Sequence, residues 1–168
     1  MTARKTFQSM CEEGEGQEAI GRVTRIYRGF QNAEGQEAIG RGREVGEVKS
    51  EGRGGFRDLR VWQRAKVLAV AVYKLTEEGK LAKDFGLRDQ MQRAAVSICS
   101  NIAEGDERGS DRDSVRFFYI AKGSPAELIT QLEIARDIEF IRDQQLQPLE
   151  DECIQIGNML GALIKARS

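Results

Sequence analysis

The stretch Leu87–Gly105, LRDQMQRAAVSICSNIAEG, decides the fold of this 168-residue chain. It contains no proline and is rich in residues that favour a helix, and its final glycine predicts a left-handed C-cap. On a helix that turns by about 100° per residue, its side chains fall into three faces. One face is apolar and consists of Leu87, Met91, Ala94, Ala95, Ile98 and Ile102.

The other two faces of this helix are polar and small. The polar stripe consists of Gln90, Arg93, Ser97, Asn101 and Glu104. The third face holds Val96, Cys99, Ser100 and Ala103, which are too small and apolar for an ordinary solvent-exposed surface. A helix with so little plainly hydrophilic surface predicts packing partners on more than one side.

Apolar residues recur at helical spacing on either side of this stretch. We predict four helices, over residues 58–78, 87–104, 111–141 and 145–166. Short polar or glycine-containing segments separate them, so neighbouring helices should run antiparallel. The expected fold is all-α, an up-down-up-down four-helix bundle over residues 56–168.

Local signals predict where these helices begin and bend. Asp58 is a suitable cap for the first helix, and Ser110 or Asp111 for the third. Within the third helix, Gly123–Pro125 interrupts a pattern that otherwise continues. We expect one long helix with a kink or a loosened turn there.

Residues 1–55 differ in composition from the rest of the chain. They hold 11 of the 18 glycines and an identical duplication, EGQEAIGR, at Glu15–Arg22 and Glu34–Arg41. Two copies are too few for a solenoid, and each interior glycine disfavours a helix by about 1 kcal/mol. We predict a poorly structured extension. It is either a leader translated from a misassigned start, or a partner-binding tail whose two copies act as paired weak motifs.

Overall composition excludes several classes of function. The chain has 26 basic and 27 acidic residues, so bulk positive charge does not steer it onto nucleic acid. It has no histidine and three cysteines without a CxxC pair, so neither a zinc site nor a disulfide framework is indicated. No apolar run has membrane-spanning length and no secretory leader is evident, so we expect a cytoplasmic protein.

Catalysis has little support in the sequence. The candidate nucleophiles Ser97, Ser100, Cys99 and Cys153 lack a recognisable base and orienting partner. Acidic runs such as Glu150–Glu152 are predicted to be solvated charges. We therefore expect a protein that is not an enzyme and has no catalytic residues, metal, cofactor or small-molecule substrate.

The central helix also carries a family resemblance. The run Gln90-x-x-Arg93-Ala94-Ala95-x-Ser97-Ile98-x-Ser100-Asn101-Ile102-Ala103-Glu104-Gly105 resembles the signature of the four-helix bundle proteins encoded in bacterial 23S rRNA intervening sequences. Two flanking runs agree with it, Phe56-x-Asp58-Leu59-x-Val61-Trp62-Gln63 and Ala121-x-Gly123-Ser124-x-x-Glu127-Leu128. The resemblance covers about two thirds of the chain. The family pattern usually has proline where this chain has Cys99, so the helix should be straighter here.

The resemblance implies a homopentamer of antiparallel bundles. It also relates the chain to the accessory protein of diversity-generating retroelements, another pentamer, which binds a reverse transcriptase and nucleic acid. No agreed biochemical role accompanies the intervening-sequence branch itself.

Two sets of residues are candidates for a functional site. The polar stripe of the central helix, Gln90 to Glu104, is either a network that fixes helix register and subunit docking, or a ligand contact. Arg93 and Glu104 lie about 16 Å apart along the helix, so each needs a partner elsewhere. The candidate nucleic-acid contacts are Arg88, Arg108, Arg112 and Arg116.

The preferred hypothesis is a non-enzymatic, self-assembling binding or scaffold protein. The alternative is an RNA- or ribonucleoprotein-associated accessory factor that binds phosphate through an arginine-bearing rim of the oligomer.

Overall fold

Four α-helices account for most of residues 55–168, the part of the chain that the computed structural model describes. The predicted extension, with both copies of EGQEAIGR, lies outside these residues except for Gly55. The helices are α1 (Arg60–Thr76), α2 (Phe85–Asp106), α3 (Asp111–Asp137) and α4 (Asp143–Arg167). Short 3-10 helices at Gly55–Asp58 and Leu81–Lys83 precede α1 and α2, and residues 55–168 contain no strand. The predicted all-α four-helix bundle is confirmed.

Side-chain caps explain the first residues of α2 and α3. Asp84 accepts a 3.0 Å hydrogen bond from the Leu87 N–H, so α2 begins two residues before the predicted position. Ser110 accepts from the Asp113 N–H at 3.2 Å, which confirms it as the cap of α3. The prediction for α1 is wrong, because Leu59 occupies the N-cap position without a side-chain hydrogen bond.

The turn between α3 and α4 ends α3 earlier than the sequence predicts. Glu139 adopts a positive φ of 59°, and the Phe140 N–H donates to the Ala135 carbonyl at 2.8 Å. These are the features of a left-handed helix C-cap, and they end α3 at Asp137 rather than near residue 141. Upstream, α3 is one continuous helix through Gly123–Pro125.

The four helices enclose one apolar core. The apolar face predicted for α2 lies inside it: Met91, Ala95, Ile98 and Ile102 are completely buried, while Leu87 packs at its edge. The largest completely buried side chains on the other three helices are Leu68, Val72, Phe118, Leu128, Leu132, Leu149, Ile156 and Leu160. Burial of such side chains supplies the main driving force for folding.

Gly105 lets α2 approach α3 closely. A Cβ atom at this position would lie 2.6 Å from Cε1 and 2.9 Å from Cδ1 of the buried Phe118 ring. The predicted left-handed C-cap at Gly105 is wrong, because the residue lies within α2 and, among residues 55–168, the glycines with positive φ are Gly55 and Gly79. The glycine serves packing rather than a turn.

We expect Gly105→Ala to lower the free energy of unfolding by about 1–3 kcal/mol, because Phe118 must shift in a filled core. Gly157→Ala is the matched control, since it lies inside α4 with no atom within 4 Å of the added Cβ. The control should gain up to about 1 kcal/mol from improved helix propensity. Urea denaturation followed by circular dichroism measures both effects, and equal changes would contradict the close approach.

Candidate assembly and binding surfaces

A polar seam joins α2 to α3. Ser124 Oγ donates to Ser97 Oγ at 2.9 Å, and Asn101 Nδ2 donates to the Ser97 carbonyl at 2.8 Å and to its Oγ at 3.1 Å. The structure therefore brings together two members of the predicted polar stripe and adds Ser124 to them. The sequence analysis places Ser124 within the Gly123–Pro125 interruption and misses this contact.

The remaining members of the polar stripe are exposed. Gln90 and Arg93 are exposed and have no hydrogen-bond or ion-pair partner within residues 55–168. Glu104 pairs with Arg108, one turn further along the chain. The stripe is thus split between a satisfied seam and an exposed edge at which Arg93 presents a guanidinium to the surroundings.

The four arginines proposed for nucleic-acid contact do not form one cluster. Arg88 lies near the start of α2, about 27 Å along the helix from the turn that carries Arg108. Arg88 donates to the Ala82 carbonyl at 3.3 Å and stacks over the Phe85 ring, 4.7 Å from its centroid.

The remaining three arginines lie near the other end of α2, and they differ in whether they have an ion-pair partner. Arg108 pairs with Glu104 and stacks over Phe117, 4.4 Å from the ring centroid. Arg112 and Arg116 lie exposed on adjacent turns of α3, without an ion pair inside the described part of the chain. They are the two members of the set whose guanidinium groups remain available to phosphate.

One buried ion pair escaped the sequence analysis. Arg64 Nε and Nη2 donate to the two carboxylate oxygens of Glu152 at 2.8 and 2.6 Å, and the side chains are only 14% and 9% exposed. The prediction that Glu150–Glu152 is a solvated run is wrong at Glu152. Its partner is 88 residues away on α1, and no local pattern reveals that distance.

The two cysteines of the bundle are not activated nucleophiles. Burial raises the pKa of the Cys153 thiol to about 12, with a further contribution from Glu152. Burial also raises the pKa of Cys99, whose thiol donates to the Val96 carbonyl at 3.2 Å. Because reactivity belongs to the thiolate, the raised pKa lowers the reactivity of both thiols at neutral pH.

Residues 55–168 contain neither a cluster of side chains placed to hold a metal ion nor a membrane-spanning helix. No group of three or more histidine, cysteine, aspartate or glutamate side chains there is placed to hold a metal ion. No helix in that part of the chain is long and apolar enough to cross a membrane.

Exposed apolar side chains form a patch along the groove between α1 and α2. Gln92 Nε2 donates to Thr76 Oγ1 at 2.8 Å, which sets the level at which these antiparallel helices meet. One turn along from this contact lie Tyr73 on α1 and Val96 on α2. The α1–α2 patch, defined as Val70, Tyr73 and Val96, is 43%, 41% and 38% exposed.

A second apolar patch lies on α3, which packs on the opposite side of α2 through the polar seam. Its members share one face of the helix, on which Ile134 and Ile138 lie one turn apart and Ile120 lies about 21 Å from Ile134 along the axis. We define the α3 patch as Ile120, Ile134 and Ile138, which are 47%, 46% and 44% exposed. Between the patches, the third face of α2 presents the exposed Ser100 and the half-buried Cys99 and Ala103. Both flanks of α2 therefore leave apolar surface uncovered.

These features define a class of protein, an antiparallel four-helix bundle whose second helix carries a satisfied polar seam and two uncovered apolar flanks. Residues 57–162 match the family model described as 23S rRNA-intervening sequence protein. The chain belongs to this family, as the central helix predicted.

A solved structure shares the fold. It is a protein of unknown function from the S23 ribosomal protein family of Bacteroides thetaiotaomicron. The two are 26% identical, with a TM-score of 0.58 over 62% of this chain and 98% of that chain. No curated protein matches the chain.

The Arg93→Ala variant tests whether Arg93 stabilises the folded bundle or contacts another molecule. Because Arg93 is exposed and unpaired within the bundle, we expect its loss to change the free energy of unfolding by no more than about 0.5 kcal/mol. We expect the substitution to weaken self-assembly more strongly. The measurement is the molar mass of the eluting protein on a sizing column over a range of protein concentrations. Arg112→Ala, another exposed arginine, is the control and should leave the mass unchanged.

Two results would contradict this assignment of Arg93. Unchanged assembly with loss of partner binding would make Arg93 a ligand contact. Loss of helicity at all concentrations would give it a role in folding.

Proposed function

We propose that this protein is a non-enzymatic scaffold or binding protein of the cytoplasm that assembles into a ring of five identical bundles. The observation that carries the proposal is the pair of separate apolar patches on the two flanks of α2. Monomeric proteins rarely leave apolar side chains uncovered in contiguous groups, and such groups are typical of interfaces.

Two different patches favour a ring over a two-fold dimer. In a two-fold dimer each subunit contributes the same surface, so one self-complementary patch is enough. In a closed ring each subunit uses one surface toward the next subunit and another toward the previous one. We infer that the α1–α2 patch of one subunit packs against the α3 patch of its neighbour, and the family resemblance supports five as the number of subunits.

The free energy gained by burying the two patches is not enough by itself to hold the ring together. Full burial of a large apolar side chain contributes about 1.5–3 kcal/mol, and these six are already about half buried. Their further burial supplies roughly 6 kcal/mol per contact, which only matches the lower estimates for the cost of association. Polar contacts at the edge, with Arg93 as the first candidate, are expected to add specificity.

A mixing experiment tests both the ring and the pairing of the patches. Val96→Glu disables the α1–α2 patch and Ile134→Glu disables the α3 patch, because each places a charge in a contact that must be dry. We expect light scattering to give about 94 kDa for the pentamer of the 18.8 kDa chain, and the monomer mass for each variant alone. An equimolar mixture at high concentration should form a heterodimer, since one intact patch remains on each partner.

The control for this experiment is Ile154→Glu on α4. Ile154 is 50% exposed and belongs to neither patch, so the pentamer mass should persist. A monomeric wild-type protein, or a pentamer retained by either patch variant, would overturn the proposal.

The alternative function is association with RNA or a ribonucleoprotein. The observation that favours it is the pair Arg112 and Arg116, exposed one turn apart on α3 and free of ion pairs within the bundle. Two adjacent guanidinium groups suit the phosphates of one strand. A ring would repeat this pair five times around one rim.

Fluorescence anisotropy with single-stranded RNA at low salt tests the alternative, because phosphate contacts are strongest there. The double variant Arg112→Ala/Arg116→Ala should weaken binding and reduce the slope of log affinity against log salt by about 0.7 for each lost contact. Arg88→Ala is the control and should have no effect, since that side chain is engaged at the other end of α2. If the wild-type protein does not bind at low salt, the alternative is excluded.

A further inference from the structure

A cleft lies at the end of the bundle where the α1–α2 turn meets the α3–α4 turn. Its volume is about 620 Å³, which is within the range of protein sites for small molecules and short peptides. Leu75, Phe140 and Ile141 contribute apolar lining, of which Leu75 and Ile141 are buried. Neither function proposed above uses this cleft.

The rim of the cleft carries charges of both signs. Lys80, Lys83 and Arg142 supply cations, and Glu77 and Glu139 supply carboxylates. All five are exposed, and none forms an ion pair with another residue of the described bundle. An apolar floor with a mixed rim matches a ligand that has a small apolar centre and charges of both signs at its ends.

Glu139 is an unexpected residue at this rim. Its φ of 59° is the conformation in which helix C-caps prefer glycine, because a side chain in the left-handed region costs free energy. A glutamate at such a position adds backbone strain without a compensating ion pair inside the bundle. Strained residues of this kind are typical of binding sites.

The chain contains a peptide with the matching chemistry. EGQEAIGR, present at Glu15–Arg22 and Glu34–Arg41, has two carboxylates, an apolar Ala-Ile pair and a terminal guanidinium. We propose that the cleft docks this octapeptide. The Ala-Ile pair matches the apolar floor, the arginine matches the carboxylates of Glu77 and Glu139, and the glutamates match the cations of the lysines and Arg142.

The length of the chain permits this docking. Gly55 lies beside Glu107, at the end of α1 opposite to the cleft, about 25 Å away along that helix. Gly55 is 14 positions from Arg41, a span of up to about 46 Å, so the tether is long enough for the second copy to reach the cleft of its own subunit. Such a short tether gives an effective concentration in the millimolar range, which is enough for a weak motif.

The first copy has a different reach. Arg22 is 33 residues from Gly55, a span of up to about 110 Å, which extends to the cleft of another copy of the chain. Each chain has two copies of the motif for one such cleft. The shorter tether favours the second copy over the first for the cleft of its own subunit.

Limited trypsin digestion of the full-length protein tests the docking, because a docked arginine is inaccessible to the protease. Glu139→Gly removes one carboxylate from the rim and relieves the strained backbone, so its melting temperature should be unchanged or higher. We expect cleavage after Arg41 to be at least about threefold slower in the wild-type protein than in this variant. Cleavage after Arg28 and Lys49, which lie outside the repeated octapeptides, should proceed at equal rates in both proteins.

Competition provides the second measurement. Free EGQEAIGR peptide in excess should raise the wild-type rate after Arg41 to that of Glu139→Gly, whereas a scrambled peptide of the same composition should not. Equal rates after Arg41 in the two proteins, or no response to the free peptide, would overturn the proposal. The outcome does not depend on self-assembly, since the second copy of the motif reaches the cleft within one subunit.

Discussion

The ion pair between Arg64 and Glu152 joins the first helix of the bundle to the last. Its two hydrogen bonds of 2.8 and 2.6 Å connect residues 88 positions apart, and both side chains are mostly buried. A buried charge that loses its partner destabilises a protein by about 3–5 kcal/mol, so registers that separate the two groups are disfavoured. Apolar stripes alone tolerate a slip of one helical turn. The bidentate pair does not, and it therefore fixes how α1 and α4 close the bundle.

Once α1 and α4 are joined, α2 is held between α1 and α3 with its outer surface uncovered. The contacts of Gln92 with Thr76 and of Ser97 with Ser124 satisfy the polar groups along its two sides. Met91 and Ile98 fill its inner face. What remains outside is a face of small residues between two apolar patches, which none of the other helices within residues 55–168 covers. The uncovered surface that supports the proposed self-assembly thus results from the way in which the bundle closes.

The helices and the inner face of α2 were predictable because they depend on local periodicity. Met91, Ala95, Ile98 and Ile102 recur at spacings of three and four, and such spacing places side chains on one face whatever the partner is. Glu152 and Gly105 were predicted wrongly for the opposite reason. Whether a carboxylate is solvated, or a glycine ends a helix, depends on residues distant in the chain, here Arg64 and Phe118. In the candidate site, Ser97 and Asn101 were found from spacing, and Ser124 was not.

The same distinction explains where function is to be sought in this fold. Inside the bundle the seam and the Arg64–Glu152 pair are satisfied by their own contacts, so these groups have little capacity left for a ligand. The features that residues 55–168 leave uncompensated lie at the surface: the two patches, the guanidinium of Arg93, and a glutamate in a backbone conformation that suits glycine. The backbone conformation of Glu139 costs stability in an isolated subunit, whereas the patches and Arg93 leave possible contacts unmade. Together these features support the proposed assembly, in which other chains or segments would supply the missing contacts.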